Sequence, residues 1–431
     1  MVIATPCLIS NAAVLRRFVV AGWLGTLLGF FCMLVLPGTA GLRAGEYDAL
    51  TQSLVDANRA LDAAWLAMPS FHVFWVAVSA ATLTARWPRA RWACSVFVAL
   101  TALSCVLTGS HAVVDVAGGL ALAWLVWRAD DVWRGLLVLV ERLANSWSAR
   151  RVGPVRIISH AVWSAAAAAA GVMVVLILIG PSGPGAYGAT FVLVLAGLIA
   201  GGAWGYWLEG GNKLARPFGY YGYLLGSVAG LAALAAIGWP RCGALAAAFA
   251  TAAPVAQAIG RLRCVVQGCC HGRAVLATRF GIRVTQRYSR VTALGGLRGV
   301  AIHPTQLYSI VGNVVLAAVL LRLWAVEAPW TVIGGAYLAL SSLARFVEEQ
   351  YRGEPQTARR AGLAIYQWLA IGLFVAGLVT MGLPGAAVIA AGALSWTSVG
   401  VAAVCGALAA LAMSVDFPSS RARLSRLTVL P

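Results

Sequence analysis

With 431 residues, 61% of them hydrophobic and 11% charged, and a mean hydropathy of +0.84, the chain is excluded from the soluble globular class. Its net charge of +18 comes almost wholly from arginines in loops between apolar runs, Lys213 being the one lysine. That placement points to membrane topology and anionic lipid and away from nucleic acid as a partner.

Apolar runs of spanning length recur, so the expected fold class is all-α: a polytopic membrane helical bundle rather than a β-barrel of short alternating segments. Arg16 and Arg17 precede the first run, which is too long for a signal-peptide core and reads as an uncleaved helix. The expected spans lie near 17–37, 71–86, 93–109, 111–127, 160–180, 188–208, 220–238, 243–259, 308–325, 329–346, 363–382 and 387–412, about twelve in all. Alanine runs near 164–170 and 245–253 offer small-residue faces for close helix packing. The sharpest change in composition is the arginine-rich stretch 128–157. It divides the chain into a membrane domain at 1–127, a charged cytoplasmic linker at 128–157 and a second membrane domain at 158–431.

Basic residues before the first span, at Arg86, Arg89 and Arg91, and from Arg128 onward fall on one face, taken as cytoplasmic. The segments 69–72 and 108–115 then meet on the opposite face. The first, in MPSFH at 68–72, offers Pro69 and Ser70 at a helix start. The second, in LTGSHAVVDVAGG at 107–119, sets His111 and Asp115 four apart on one helical face, where the carboxylate can orient the imidazole. An oriented histidine can attack phosphorus while another protonates the leaving oxygen.

These residues resemble the type 2 phosphatidic acid phosphatase superfamily, and within it the branch containing inositol-phosphorylceramide synthases. The pattern there is PSGH, then SRxxxxxHxxxD, preceded by KxxxxxxRP. The resemblance covers roughly 18–127 and implies His111 as nucleophile, Asp115 as its orienter, His72 as general acid and Ser70 as a phosphate contact. Ser104-Cys105 stands at the SR pair, and Arg43 is the nearest counterpart of the upstream basic motif.

The densest chemistry lies later, at helix ends. GRLRCVVQGCCHG at 260–272 closes one apolar run, HPTQLYS at 303–309 opens the next, and RFVEEQYR at 345–352 closes the third. Ionisable groups are costly in a bilayer, by about 2.5–3.5 kcal/mol each at mid-membrane, so this gathering points to a polar pocket for a lipid headgroup. Arginine offers a fixed fork of donors that matches phosphate, which marks Arg261 and Arg345. Glu349 lies four residues after Arg345 on the same helical face and can pair with an arginine or act as base. His303 before Pro304 suits a helix start, with Gln306 and Tyr308 as further polar handles.

Cys264, Cys269 and Cys270 cluster in the first motif, while the other cysteines read as small packing residues. Cys269-Cys270-His271 lacks the usual two-residue gap between zinc ligands, and no second Cys/His pair follows, so neither metal nor cofactor is expected. His160, alone at the start of a span, is expected at the interface.

The later motifs resemble the prolipoprotein diacylglyceryl transferase family over about 188–382. GRLRC stands at its GRxGN, HPTQLY at HP(S/T)QLYE, RFVEEQYRGEP at RFxxEFxRxPD, and GLAIYQW, which holds Gln367, at GLxxxQ. PFGYYGYLLG at 217–226 matches the HGGL(L/I)G region, with Tyr221 at the motif histidine. The QGCCHG segment is similar to a divergent branch of this family, with Cys264 at the motif asparagine and Cys269 at an acidic position. The resemblance implies that Arg261 and Arg345 bind the phosphatidylglycerol headgroup, that Glu349 supports Arg345 or the base, and that Gly272 lines the pocket. The implied reaction moves a diacylglyceryl group from phosphatidylglycerol to a cysteine thiol of a prolipoprotein peptide in the bacterial inner (plasma) membrane, without metal. Alternatives are a lipid phosphatase or phosphotransferase carried by the histidine pair, or a non-catalytic lipid-binding or lipid-transport protein. Loop charge puts 259–305 on the cytoplasmic face, whereas the resemblance implies an extracytoplasmic site.

Overall fold

The computed structural model describes residues 2–38, 48–49, 52–53, 68–180, 185–208, 218–277, 280–353, 358–420 and 425–427. Arg43, Lys213 and Pro217 lie outside them. The chain forms two compact units, Met1–Gly135 and Leu136–Pro431.

The first unit holds α1 (Ala12–Val35), α2 (Phe71–Arg86), α3 (Arg91–Leu107) and α4 (Val113–Trp127). Asn11 caps α1, its side-chain oxygen accepting from the amides of Ala13 and Val14 at 2.9 and 3.2 Å. Gly22, Gly25 and Gly29 lay a side-chain-free stripe along α1 against Trp75, Phe74 and Phe71 of α2. A Cβ at Gly25 would come within 2.0 Å of the Phe74 ring, so the close packing needs glycine there. The resulting core gathers Phe18, Ala21, Phe74, Val78 and Leu122.

Helix α5 (Ala129–Ala144) runs across the division between the units. The expected charged linker is therefore largely regular structure. After α5 comes a hairpin of β1 (Ala149–Val152) and β2 (Val155–Ile158), in the second unit. An additional strand near the C-terminus pairs with β2 and places Asp416 opposite Arg156. The two make a buried bidentate pair with both N···O distances at 2.9 Å.

The second unit continues with α6 (Ala161–Ile179), α7 (Gly185–Leu208), α8 (Tyr220–Ala236), α9 (Cys242–Gln267), α10 (Thr305–Ala325), α11 (Trp330–Glu349), α12 (Ile365–Met381) and α13 (Trp396–Ser414). Helix α9 packs on α6, α10 and α11; α7 pairs with α8, and α11 with α12. The alanine run at 245–253 supplies the core here, with Leu245, Ala247 and Ala248 buried against Leu320 and Ile333. Every expected span meets a helix, and among the described residues eight helices are long and apolar enough to cross a membrane by length and composition. The last begins at Trp396 rather than near 387. The segment before it instead returns to α11, where the Val388 amide donates to Ala328 O at 3.2 Å and Trp330 N to Ala386 O at 3.0 Å.

Helices α9 and α11 end, and α10 and α12 begin, where the chain gathers its polar residues. A short two-stranded sheet of Ile282–Arg283 and Ala301–Ile302 stands beside these ends.

Candidate functional site

RFVEEQYR sets Arg345, Glu348 and Glu349 at spacings of three and four, so they share one face at the end of α11, and Arg352 follows three residues beyond the helix. Glu348 Oε1 lies 3.1 Å from Arg345 Nη1, 2.8 Å from Arg352 Nη2 and 3.8 Å from Arg261 Nη2. Glu349 Oε2 is 2.7 Å from Arg345 Nη2 and 3.7 Å from Arg352 Nε, close ion pairs without the geometry of directed hydrogen bonds. Three guanidiniums thus surround two buried carboxylates, and one positive charge remains uncompensated within the cluster.

This cluster forms the polar end of a cavity of about 1970 Å³ bounded mainly by apolar helix faces. Tyr221, Arg261, Tyr308, Arg345, Glu348 and Arg352 line it. Such a chamber is large enough to hold a sizeable, mostly apolar ligand, and the guanidiniums at its polar end offer donors to an anionic group.

Backbone approach delivers Arg352 to this place. Gly272 bridges to Arg352, and a Cβ at Gly272 would stand 2.3 Å from His303 O. The glycine motif thus brings the end of α9, the start of α10 and the end of α11 together. Gly353 N donates to His271 O at 3.0 Å and Arg273 N to Tyr351 O at 2.9 Å.

The remaining expected residues surround the cavity in different ways. The Tyr221 hydroxyl donates to Tyr366 O at 3.2 Å and its ring stacks on Tyr366, over which Arg345 also lies. His303 Nδ1 is 3.2 Å from the Tyr308 hydroxyl and its ring contacts Tyr351, so it braces two tyrosines on the cavity wall. Partial burial, and then Arg273, hold the His303 imidazole below its ordinary pKa, favouring the neutral form. Gln306 donates to Cys269 O at 2.9 Å and anchors the cysteine loop. Gln367 is fully buried; it accepts from Ala364 N at 3.0 Å and donates to Phe346 O at 3.3 Å, tying α12 to α11 rather than lining the cavity.

Sequence reasoning passed over Glu348 and Arg352, although both lie at helical spacing from Arg345 within the quoted motif. Cys264, Cys269 and Cys270, which cluster in the first motif, also meet in space, their sulfurs within 4.8 Å of one another. His160 is buried rather than interfacial, and neither ring nitrogen finds a hydrogen-bond partner among the described residues. Burial, with Arg263 and Arg290 nearby, pulls its pKa down to about 3.

In the first unit, Ser70 N donates to Asp115 O at 2.9 Å and joins the starts of α2 and α4. His72 Nδ1 then lies 3.4 Å from His111 Nε2, close enough for both rings to address one phosphate. His111 Nδ1 stands 3.8 Å from Asp115 Oδ2, beyond a hydrogen bond. That carboxylate oxygen instead accepts from Ala112 N at 2.8 Å, closing the first turn of α4. Ser70 is fully buried and caps α2, its hydroxyl 3.5 Å from Val73 N.

Comparison with known families agrees with both sets of motifs. Residues 148–383 match the prolipoprotein diacylglyceryl transferase profile, more than half of the chain. The chain belongs to that family. Residues 1–129 match the PAP2 superfamily, so this family member carries a phosphatase-like unit ahead of its transferase unit. No curated protein matches the chain. Membership makes it a multi-pass membrane protein of a lipid-transferase family.

Proposed function

We propose that the second unit transfers the diacylglyceryl group of phosphatidylglycerol to a cysteine thiol of a prolipoprotein peptide, within a bacterial inner membrane crossed by twelve helices. The convergence of Arg261, Arg345 and Arg352 on Glu348, at the polar end of a lipid-sized cavity, carries this reading. A guanidinium has five N–H donors, so the cluster keeps donors for a phosphate after its carboxylates are served. Its excess positive charge suits the single negative charge of a phosphodiester.

In this mechanism the arginines hold the phosphate and stabilise the charge that gathers on the departing oxygen. Sulfur attacks the terminal carbon of the diacylglyceryl group, the S–C bond forms, the C–O bond breaks, and glycerol phosphate leaves with the electron pair and takes up the thiol proton. Glu348 and Glu349 position the guanidiniums. Tyr221 keeps Tyr366 beneath Arg345, while His303 holds Tyr308 and Tyr351 in the wall. Gly272 permits the backbone approach that delivers Arg352, and Gln306 secures the neighbouring loop. The test is release of glycerol phosphate from phosphatidylglycerol by the reconstituted protein in the presence of a cysteine peptide. Product formation that depends on Arg261 supports the reading; its absence with a folded, lipid-loaded protein rejects it.

The 3.4 Å approach of His72 to His111 favours a second activity in the first unit, attack on a lipid phosphate by His111 with protonation of the leaving oxygen by His72. In that reading Asp115 and Ser70 fix the two helix starts that bring the histidines together. Phosphate release from lipid phosphomonoesters tests it, and activity retained after loss of both imidazoles would reject it.

A further inference from the structure

We propose that Cys264, Cys269 and Cys270 form a site for one divalent, thiophilic metal ion of the zinc type, with an open coordination position for the acceptor thiol. The metal site stands on its own geometry; only the acceptor's identity rests on the transferase reading above.

The three sulfurs lie within 4.8 Å of one another, and all three residues line the cavity that holds Arg261 and Arg352. Tetrahedral zinc binds thiolates at about 2.3 Å, which separates neighbouring sulfurs by about 3.8 Å. Closing on an ion therefore asks for shifts of about 1 Å or less, within the reach of side-chain rotation. The backbone beneath is held in place: Gln306 donates to Cys269 O at 2.9 Å and Thr305 to Cys270 O at 2.7 Å. Gly268 and Cys270 both adopt positive φ, at 74° and 58°, so the chain turns sharply and returns the adjacent cysteines toward Cys264 on the last turns of α9. The missing two-residue gap is thus made up by a third ligand from the helix.

Among the described residues no fourth His, Cys, Asp or Glu joins the group. Three protein ligands with a fourth position open are the arrangement of catalytic rather than structural zinc.

The open position faces the chamber in which a thiol must meet a lipid phosphate. An acceptor thiol binding there loses its proton more readily, because the metal stabilises the thiolate. Sulfur then attacks the diacylglyceryl carbon, the C–O bond breaks, and the thiol proton ends on the departing phosphate monoester. The ion supplies the thiolate that the tyrosine at the family's histidine position is ill suited to generate.

Elemental analysis of the purified full-length protein, beside Cys264→Ser, Cys269→Ser and Cys270→Ser variants, tests the site. Thermal unfolding checks that each variant is folded. About one equivalent of bound zinc per chain, reduced tenfold or more in the folded variants, is expected. Should the variants fail to fold, alkylation of the wild-type protein reads the same site: added Zn²⁺ must protect three thiols, and a chelator must expose them. Cobalt-loaded protein should show a sulfur-to-metal absorption band that shifts when a cysteine peptide, but not its serine counterpart, is added. Zinc content unchanged by the substitutions, alkylation indifferent to Zn²⁺, or a disulfide between two of the three cysteines would overturn the metal site. A cobalt band insensitive to the cysteine peptide would overturn the open position. Phosphatidylglycerol binding that still depends on Arg261 would leave the headgroup reading intact in either case.

Discussion

Arg261 Nη2 stands 3.8 Å from Glu348 Oε1, so the C-terminal end of α9 is joined electrostatically to the C-terminal end of α11. Glu348 holds the three guanidiniums together at one end of the cavity.

Lysine should not replace these arginines. Arg261→Lys and Arg345→Lys preserve charge but lose the planar fork. Each charge-assisted hydrogen bond lost costs about 1.5–3 kcal/mol, so turnover of phosphatidylglycerol should fall roughly 10- to 100-fold. Steady-state rates with the reconstituted protein measure this; full activity in both variants would reduce the two residues to topology anchors.

Glu348 and Glu349 should differ in weight. Glu348 serves three arginines, whereas the closest contact of Glu349 is to Arg345. Glu348→Gln should therefore destabilise the protein by about 3 kcal/mol or more, because it leaves buried guanidiniums short of countercharge. Glu349→Gln should cost less. Unfolding midpoints of the two variants in the same detergent decide the order.

The histidine pair should act independently of the arginines. His72→Ala and His111→Ala should each remove any phosphatase activity toward lipid phosphomonoesters while leaving diacylglyceryl transfer in place. Asp115→Ala should lower stability by about 1 kcal/mol through loss of its bond to the Ala112 amide. Parallel assays of both reactions check the separation.

His160 should make the protein sensitive to acid. Its folded pKa is about 3 against an ordinary value of 6.5, so it contributes no pH dependence above 6.5. As pH falls from there toward 3 the unfolded chain takes up the proton and the folded one does not, so stability drops by up to about 1.4 kcal/mol per pH unit. Melting temperature against pH should flatten in this window in His160→Leu; an unchanged slope would place the acid sensitivity elsewhere.

The architecture was legible in the sequence because membrane helices announce themselves by length and apolarity, and every expected span meets a helix. The last helix starts later than hydropathy predicts because the apolar segment before Trp396 hydrogen-bonds to other backbone instead of coiling, a tertiary choice that hydropathy does not register. Arg261, Arg345 and Glu349 were found through motif and spacing. Glu348 was passed over because adjacent acidic residues on one helix end cannot be ranked without knowing where Arg261 and Arg352 arrive. Gln367 stands in the family's GLxxxQ motif, yet it closes the start of α12, a role that depends on Ala364 and Phe346 being near. The cysteine trio is visible as a cluster in the sequence, but its convergence depends on the turn at Gly268, which folds a linear spacing back on itself.

The most direct measurement reconstitutes the protein in phosphatidylglycerol vesicles, adds a lipobox peptide with one cysteine, and follows peptide mass and released glycerol phosphate together. The account predicts a diacylglyceryl thioether on the peptide and one glycerol phosphate per modified peptide, both lost in Arg261→Lys. Unmodified peptide with folded protein, or modification indifferent to Arg261, would contradict it.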